Sequence, residues 1–379
     1  MSSTLATAAL LPAYARHDVT FVAGDGVWLT DADGKRYLDL LAGIAVVSLG
    51  HCHPAPLAAA QRQLGAVWHT SNLYSTEPML HLADALSARF GGARAFFCNS
   101  GAEAIEAALK WARKATAKPV VVALEGSFHG RTHGALAATG QPGKRAAFEP
   151  LAPAVRFARL NDVDSLAAAV GPDTGAILIE PVQGEGGIHP ASADFLEAAR
   201  SLADEHGALL VFDEIQCGVG RTGSFFAWEQ LGVEPDAVTL AKGLANGLPI
   251  GALLVRDGAP DGFEPGDHGS TFGGNAVVCA AAGAVLETLD DALLASVRAR
   301  GETLAAGLAA LPGVLEVRGR GLMLGAELDR PAGPVVAAAL DAGLLVGSAG
   351  ETVLRLTPPL TITGAEVDAG LSLLEEVLT

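Results

Sequence analysis

Residues 208–243 read ALLVFDEIQCGVGRTGSFFAWEQLGVEPDAVTLAKG. Two short apolar bursts, within 208–212 and 237–241, each stop at polar residues: Asp213-Glu214 after the first, Lys242 after the second. Apolar runs of this length fit strands buried on both faces, and such strands belong to parallel sheets covered by helices. The pattern recurs outward in PVVVALEG (119–126) and GAILIEPV (175–182). ARAFFCN (93–99) likewise precedes the helical AEAIEAALKWARKAT. The chain is therefore expected to be α/β, with a mostly parallel sheet. Residues 19–40 alternate and carry turn signals at Gly24–Gly26 and Asp33–Gly34, as short antiparallel strands do. From about 285 a smaller α+β unit is expected. The implied division is an N-terminal segment, 1–54, packing with the small domain, a large domain, 55–284, and a C-terminal small domain, 285–379.

Composition narrows the function. Of 379 residues, 25 are Lys or Arg and 42 Asp or Glu, giving a formal charge of −17. That disfavours nucleic acid and anionic membranes, both of which are held by basic patches. Cys52, Cys98, Cys217 and Cys279 lie far apart with no CxxC, so they read as packing residues rather than a disulfide framework or zinc site. No metal site is expected. No uncharged apolar run approaches the ~20 residues that span a bilayer. The opening MSSTLATAALLPAYARHD lacks a basic start and reads poorly as a signal peptide. A cytoplasmic protein is the expectation.

Ligands of open α/β sheets bind beyond the carboxyl ends of the strands. The polar residues there are Asn99 and Ser100; Phe128, His129 and Arg131; Glu180, Gln183 and Glu185; Asp213, Glu214 and Gln216; and Lys242. Ser100-Gly101-Ala102-Glu103 matches a capping box. An ordinary capped helix satisfies it, and so does a helix N-terminus whose Gly101 and Ala102 amides bind phosphate. Asp213 is either a solvated strand-end carboxylate or a partly buried acid that pairs with a cationic ring nitrogen. Lys242 follows 29 residues later, about one strand–helix–strand unit, so the two should end neighbouring strands. A lysine there can snorkel to water. With no carboxylate adjacent in sequence, it can instead be a desolvated, nucleophilic amine suited to carbonyl condensation. GVGRTG (218–223) matches a dinucleotide-binding fingerprint, but it starts too far from the strand and precedes a poor helix. A nicotinamide oxidoreductase is thus a minor alternative.

A reactive lysine, an acid for a ring nitrogen, a phosphate cup and a stacking aromatic make up a pyridoxal 5'-phosphate site. Over nearly its whole length the chain also resembles the class III, fold type I aminotransferases. The residues carrying the likeness are YLDLLAGIAVVSLGHCHP, SNLYSTEP, FFCNSGAEAIEAALKWAR, SFHGRTHGALAATG, IEPVQGEGG, FDEIQCGVGRTG, LAKGLANGLPIGA, HGSTFGGNAVVCAAA and LRLTPPL, in order. The resemblance implies a seven-stranded sheet and a homodimer with shared active sites. It implies that Lys242 holds the cofactor covalently and shuttles a proton. Asp213 would pair with the pyridinium nitrogen, Gln216 with the ring hydroxyl, and Phe128 would stack on the ring. Ser100, Gly101 and Ala102 would form the phosphate cup, joined by Thr271 from the other subunit. Arg131 would take the substrate α-carboxylate, with Ser270 of the partner chain assisting. Arg355 would anchor the second carboxylate of glutamate or 2-oxoglutarate, and Glu185 would gate it. His51, His53 and His129 are left as structural.

Family members commonly carry asparagine where this chain has Val47, a change expected to affect packing only. Ile44 stands where ornithine δ-aminotransferases present a tyrosine for a free α-amino group, and an aliphatic residue suits an acylated donor. The implied substrates are N2-acetyl-L-ornithine (N-acetylornithine) and 2-oxoglutarate. The alternatives are succinylornithine, N-succinyldiaminopimelate, ornithine and 4-aminobutyrate. A binding-only relative is a further alternative, against which the intact Lys242, Asp213 and Arg131 set argues.

Overall fold

A computed structural model describes residues 10–379. Its centre is a seven-stranded sheet in the order Ala93–Cys98, Gly251–Arg256, Ala237–Leu240, Leu209–Asp213, Thr174–Ile179, Val120–Leu124, Ala154–Ala158. Only Gly251–Arg256 runs against its neighbours, so the sheet is mostly parallel. The α/β expectation holds. Two strands escape the apolar-burst reading. Gly251–Arg256 follows the lysine turn directly and folds back on its own predecessor, Leu240 opposite Ala252. Ala154–Ala158 is an edge strand, and its alternating exposure needs fewer apolar residues. The helix Gly101–Thr116 buries Ala104, Ala107 and Ala108 with Ile105 and Trp111, and the alanines allow close approach to the sheet.

The connection from Asp213 to Lys242 departs from expectation. The two strands are parallel neighbours, with Asp213 opposite Thr239. Between them lies no α-helix, only a 3-10 turn at Ala227–Gln230. The intervening loop is held by its own backbone bonds and by Arg221. Gly218, Gly220, Arg221 and Gly223 each donate their amide to a carbonyl within residues 214–225. The Arg221 side chain is wholly buried and donates Nη1 to the carbonyls of Leu322 (3.1 Å) and Pro358. With four of its six amides committed inward, GVGRTG is not arranged to cradle a pyrophosphate.

One further sheet joins the two ends of the chain. Phe21–Asp25, Trp28–Asp31 and Arg36–Asp39 form an antiparallel set, extended by Leu344–Leu345 in parallel register with Leu38–Asp39. Val314–Arg320, Met323–Leu328, Val353–Leu356 and Gly347–Ala349 form another four-stranded sheet. The N-terminal part is tied to the lysine loop. Ser48 Oγ donates to the Gly243 carbonyl (2.8 Å), Leu49 N–H donates to Asn246 Oδ1 (2.7 Å), and Asn246 Nδ2 donates to the Gly50 carbonyl (2.9 Å). Asn246 does this from the left-handed region, φ +50, which asparagine tolerates. Ala42, Ile44 and Ala45 also hold positive φ, a strained turn beside the cavity-lining Val46.

Asn246→Ala removes both side-chain bonds and places a Cβ residue without local compensation at positive φ. It is expected to cost about 2–4 kcal/mol in urea unfolding, and Asn246→Gly less. Equal losses would show that the left-handed conformation contributes nothing.

Candidate active site

The carboxyl ends of the central strands open on a cavity of about 410 Å³. Lys242, Asp213, Gln216, Phe128, Gly101 and Arg131 all line it, from segments up to 141 residues apart in sequence. Asp213 is 3% exposed. One carboxylate oxygen pairs with His129 Nδ1 at 2.7 Å, and the other accepts from Ile215 N–H (3.0 Å) and Thr239 Oγ1 (3.2 Å). His129 is itself buried. Burial works against its protonation, but the bond to and charge of Asp213 outweigh it and raise its pKa. His129 is therefore a positioning residue for Asp213, which its place beside Phe128 in sequence did not reveal. His51 and His53 have structural contacts: His51 Nε2 meets Asp39 at 2.8 Å, and His53 caps the helix Pro54–Leu64.

Lys242 begins a 3-10 turn at φ +38. Burial pushes its ammonium below the ordinary lysine value, and nearby Arg355 adds to the fall. Glu185, Asp213 and Glu180 pull the other way without reversing it. The lysine that has no carboxylate near it in sequence thus faces three in space. Glu185 and Arg355 form an ion pair, with Arg355 only 4% exposed. Burial raises the Glu185 pKa, but Arg355, Lys242 and Lys144 together hold it below its usual value.

At the helix start, Ser100 Oγ accepts from Glu103 N–H (3.3 Å). The reciprocal bond comes from Asn99 N–H (2.8 Å), one residue earlier than in the standard box. The capped-helix reading holds here and is compatible with the phosphate one. The amides of the first turn have no intrahelical acceptor. Gly101 is sterically required, because a Cβ there would lie 2.8 Å from Ile215. Phe128 donates its N–H to Glu180 Oε2 (3.1 Å), and the Arg131 guanidinium carbon lies 5.5 Å from its ring centre. Gln216 is buried, and its Oε1 has no hydrogen-bond partner. An orphaned acceptor, a desolvated amine, a buried acid and a glycine-built helix start fit a phosphorylated pyridine aldehyde.

Ser270 Oγ accepts from Asn99 Nδ2 (3.0 Å), placing it next to the cavity wall. Thr271 is not brought to the cavity within one chain. It is exposed and lines a separate shallow recess with Trp68 and Tyr74. Ile44 is half-buried in the left-handed turn, and Val47 is half-buried nearby. The sequence reading missed Lys144, whose ammonium lies 5.5 Å from the Phe128 ring centre. Its spacing within QPGKR gives no signal of that contact. Among the described residues no cluster of metal-ligating side chains occurs.

Comparison with known proteins agrees with this geometry. The family model described as aminotransferase class-III matches residues 12–378. An acetylornithine aminotransferase of Mycolicibacterium smegmatis is 51% identical over 376 residues, covering 98% of this chain and 96% of the relative. One from Methanocaldococcus jannaschii is 44% identical, covering 97% and 96%. Among solved structures, an N-acetylornithine aminotransferase from Stenotrophomonas maltophilia has a TM-score of 0.84 at 39% identity, covering 96% of each chain. An ornithine aminotransferase from Toxoplasma gondii, described with partial occupancy of PLP at its active site, has a TM-score of 0.93 at 32% identity, covering 97% and 91%. The chain belongs to the class III aminotransferases, and its fold is that of the fold type I enzymes.

Burial raises the Glu180 carboxyl to about 7, from an ordinary value of 4.5. The folded protein then binds more protons than the unfolded chain between those values, so stability falls as pH rises through that window. Glu180→Gln removes this contribution. The fall in unfolding free energy between pH 4.5 and 7 should be shallower in the variant than in wild type, measured by urea titration. Parallel pH profiles would assign the dependence elsewhere.

Proposed function

We propose that the protein transfers the terminal amino group of N2-acetyl-L-ornithine to 2-oxoglutarate, giving N-acetyl-L-glutamate 5-semialdehyde and L-glutamate, a step of L-arginine biosynthesis. The observation that carries this is the convergence of Lys242, Asp213 and Arg131 on one cavity, with the Glu185–Arg355 pair close enough to act electrostatically on Lys242. Similarity to acetylornithine aminotransferases supports the donor.

Pyridoxal 5'-phosphate, when bound, supplies a carbonyl to take up the amino group and an electron-accepting ring. Lys242 is the covalent anchor and, once released, the base and acid that moves the proton at the donor carbon. Its depressed pKa serves both tasks. Asp213, steadied by His129, keeps a proton on the ring nitrogen. Gln216, with its unpartnered Oε1, would meet the ring hydroxyl, Phe128 would pack against the ring, and Ser100, Gly101 and Ala102 would take the phosphate. Arg131 receives the donor's α-carboxylate through its guanidinium fork. Arg355 is covered by Glu185 while the monocarboxylate donor is bound. It is freed for the second carboxylate of 2-oxoglutarate.

We also propose a homodimer in which Thr271 and Ser270 reach the partner's site. Trp68, Leu73, Tyr74 and Phe272, 61–85% exposed near Thr271, form an apolar surface that fits a subunit contact. The proposed domain boundaries remain 54 and 284, and the proposed compartment is the cytoplasm. No helix among the described residues is long and apolar enough to cross a membrane.

Two measurements test the reading. Borohydride should abolish the visible absorption of the purified enzyme and leave the cofactor attached at Lys242. Steady-state rates on a panel of N-acetyl-L-ornithine, succinylornithine, N-succinyldiaminopimelate, ornithine and 4-aminobutyrate should favour the first. Preference for free ornithine would overturn the donor assignment.

A further inference from the structure

Two cations lie against the Phe128 ring. The guanidinium carbon of Arg131 and the ammonium of Lys144 are each 5.5 Å from its centre. Neither forms an ion pair with a carboxylate among the described residues, whereas Arg355 has Glu185. Lys144 is also not a free surface lysine. It is half-buried, and its ammonium donates to Gln141 Oε1. Gln141 is fastened in turn, its Nε2 donating to the carbonyls of Gly126 (3.1 Å) and Ser127 (3.4 Å), directly before Phe128. Its neighbour Arg145 goes elsewhere, packing over Phe157 at 4.3 Å. The short turn Pro142–Arg145 therefore sends one cation to the edge strand and the other to the ring that lines the cavity.

An ammonium has three donors and here uses one within the protein. Two like charges on one ring repel each other until an anion lies between them. We propose that Lys144 is a specificity-determining residue that acts beside Arg131, the two receiving the carboxylate that a substrate carries at the end remote from the transferred amine. The assignment rests on the functional reading above and deepens it. It gives the site a preference for ω-amines with an anionic far end over those with a neutral one. It also gives the ammonium of Lys144 a role that Arg131 alone does not fill. Lys144 lies against the cavity-lining Phe128 and is electrostatically coupled with Glu185, Arg131 and Arg355.

Lys144→Met is tested on the holoenzyme with two donors that differ only in the carboxylate, N2-acetyl-L-ornithine and N-acetylputrescine. KM for the first should rise about 10- to 150-fold, in the range of a lost charge-assisted hydrogen bond. Its kcat should change by less than about twofold. KM for N-acetylputrescine should stay within about twofold, and Lys144→Arg should restore most of the loss. Equal effects on both donors, or no effect on either, would overturn the proposal. Calorimetric binding of glutarate, which needs no turnover, gives a second reading. It should weaken in Lys144→Met and not in Lys144→Arg, and unchanged binding would also overturn the proposal. If wild type rejects N-acetyl-L-ornithine altogether, the functional reading fails by itself, and the glutarate measurement still decides the role of Lys144.

Discussion

The parallel register between Leu209–Asp213 and Ala237–Leu240 is the constraint on which the site depends. Asp213 sits opposite Thr239, and Lys242 follows three residues on, just past the end of its strand. A one-residue slip would turn Asp213 to the other face of the sheet and separate the pair. The register is held on both sides. Thr239 Oγ1 bonds to Asp213 itself, and Leu240 pairs with Ala252 in the returning strand. The N-terminal residues Ser48, Leu49 and Gly50 then fix the lysine turn from outside the sheet. The chemistry is thus built at the ends of two paired strands, with Lys242 on the turn that follows its strand and Arg355 within the strand Val353–Leu356.

That rigidity matters because the charges are crowded. Lys242 and Arg355 face Glu185, Asp213 and Glu180 in surroundings that desolvate them. Burial wins at Lys242 and at Glu180, lowering one pKa and raising the other, so both move toward neutral forms. At Glu185 the neighbouring cations win, and the carboxylate stays charged to pair with Arg355. At His129 the partner Asp213 wins over burial. A desolvated amine and a fixed ion pair are thereby held in electrostatic contact.

Much of this was legible in the sequence, for identifiable reasons. Apolar bursts ending in polar residues mark parallel strands, so Asp213 and Lys242 could be placed as neighbours from spacing alone. What lay between them could not. The loop of residues 214–226 is ordered by its own backbone bonds and by the burial of Arg221 against Leu322 and Pro358, contacts of more than a hundred residues' separation that leave no local pattern. Gly251–Arg256 was missed because it folds back antiparallel on Ala237–Leu240, a pairing that the apolar-burst pattern of a parallel sheet does not encode. His129 and Lys144 were missed because their partners come from elsewhere: Asp213 for the first, the face of Phe128 for the second. Thr271 sits outside the cavity of its own chain, and only the family resemblance gives it a role there.

The proposed chemistry depends on Lys242 being an amine made reactive by desolvation. Site-resolved reductive methylation of the cofactor-free protein across pH 6 to 11, read by mass spectrometry, measures this directly. Lys242 is expected to titrate below the ordinary lysine value of 10.5. A midpoint at or above that value would contradict it.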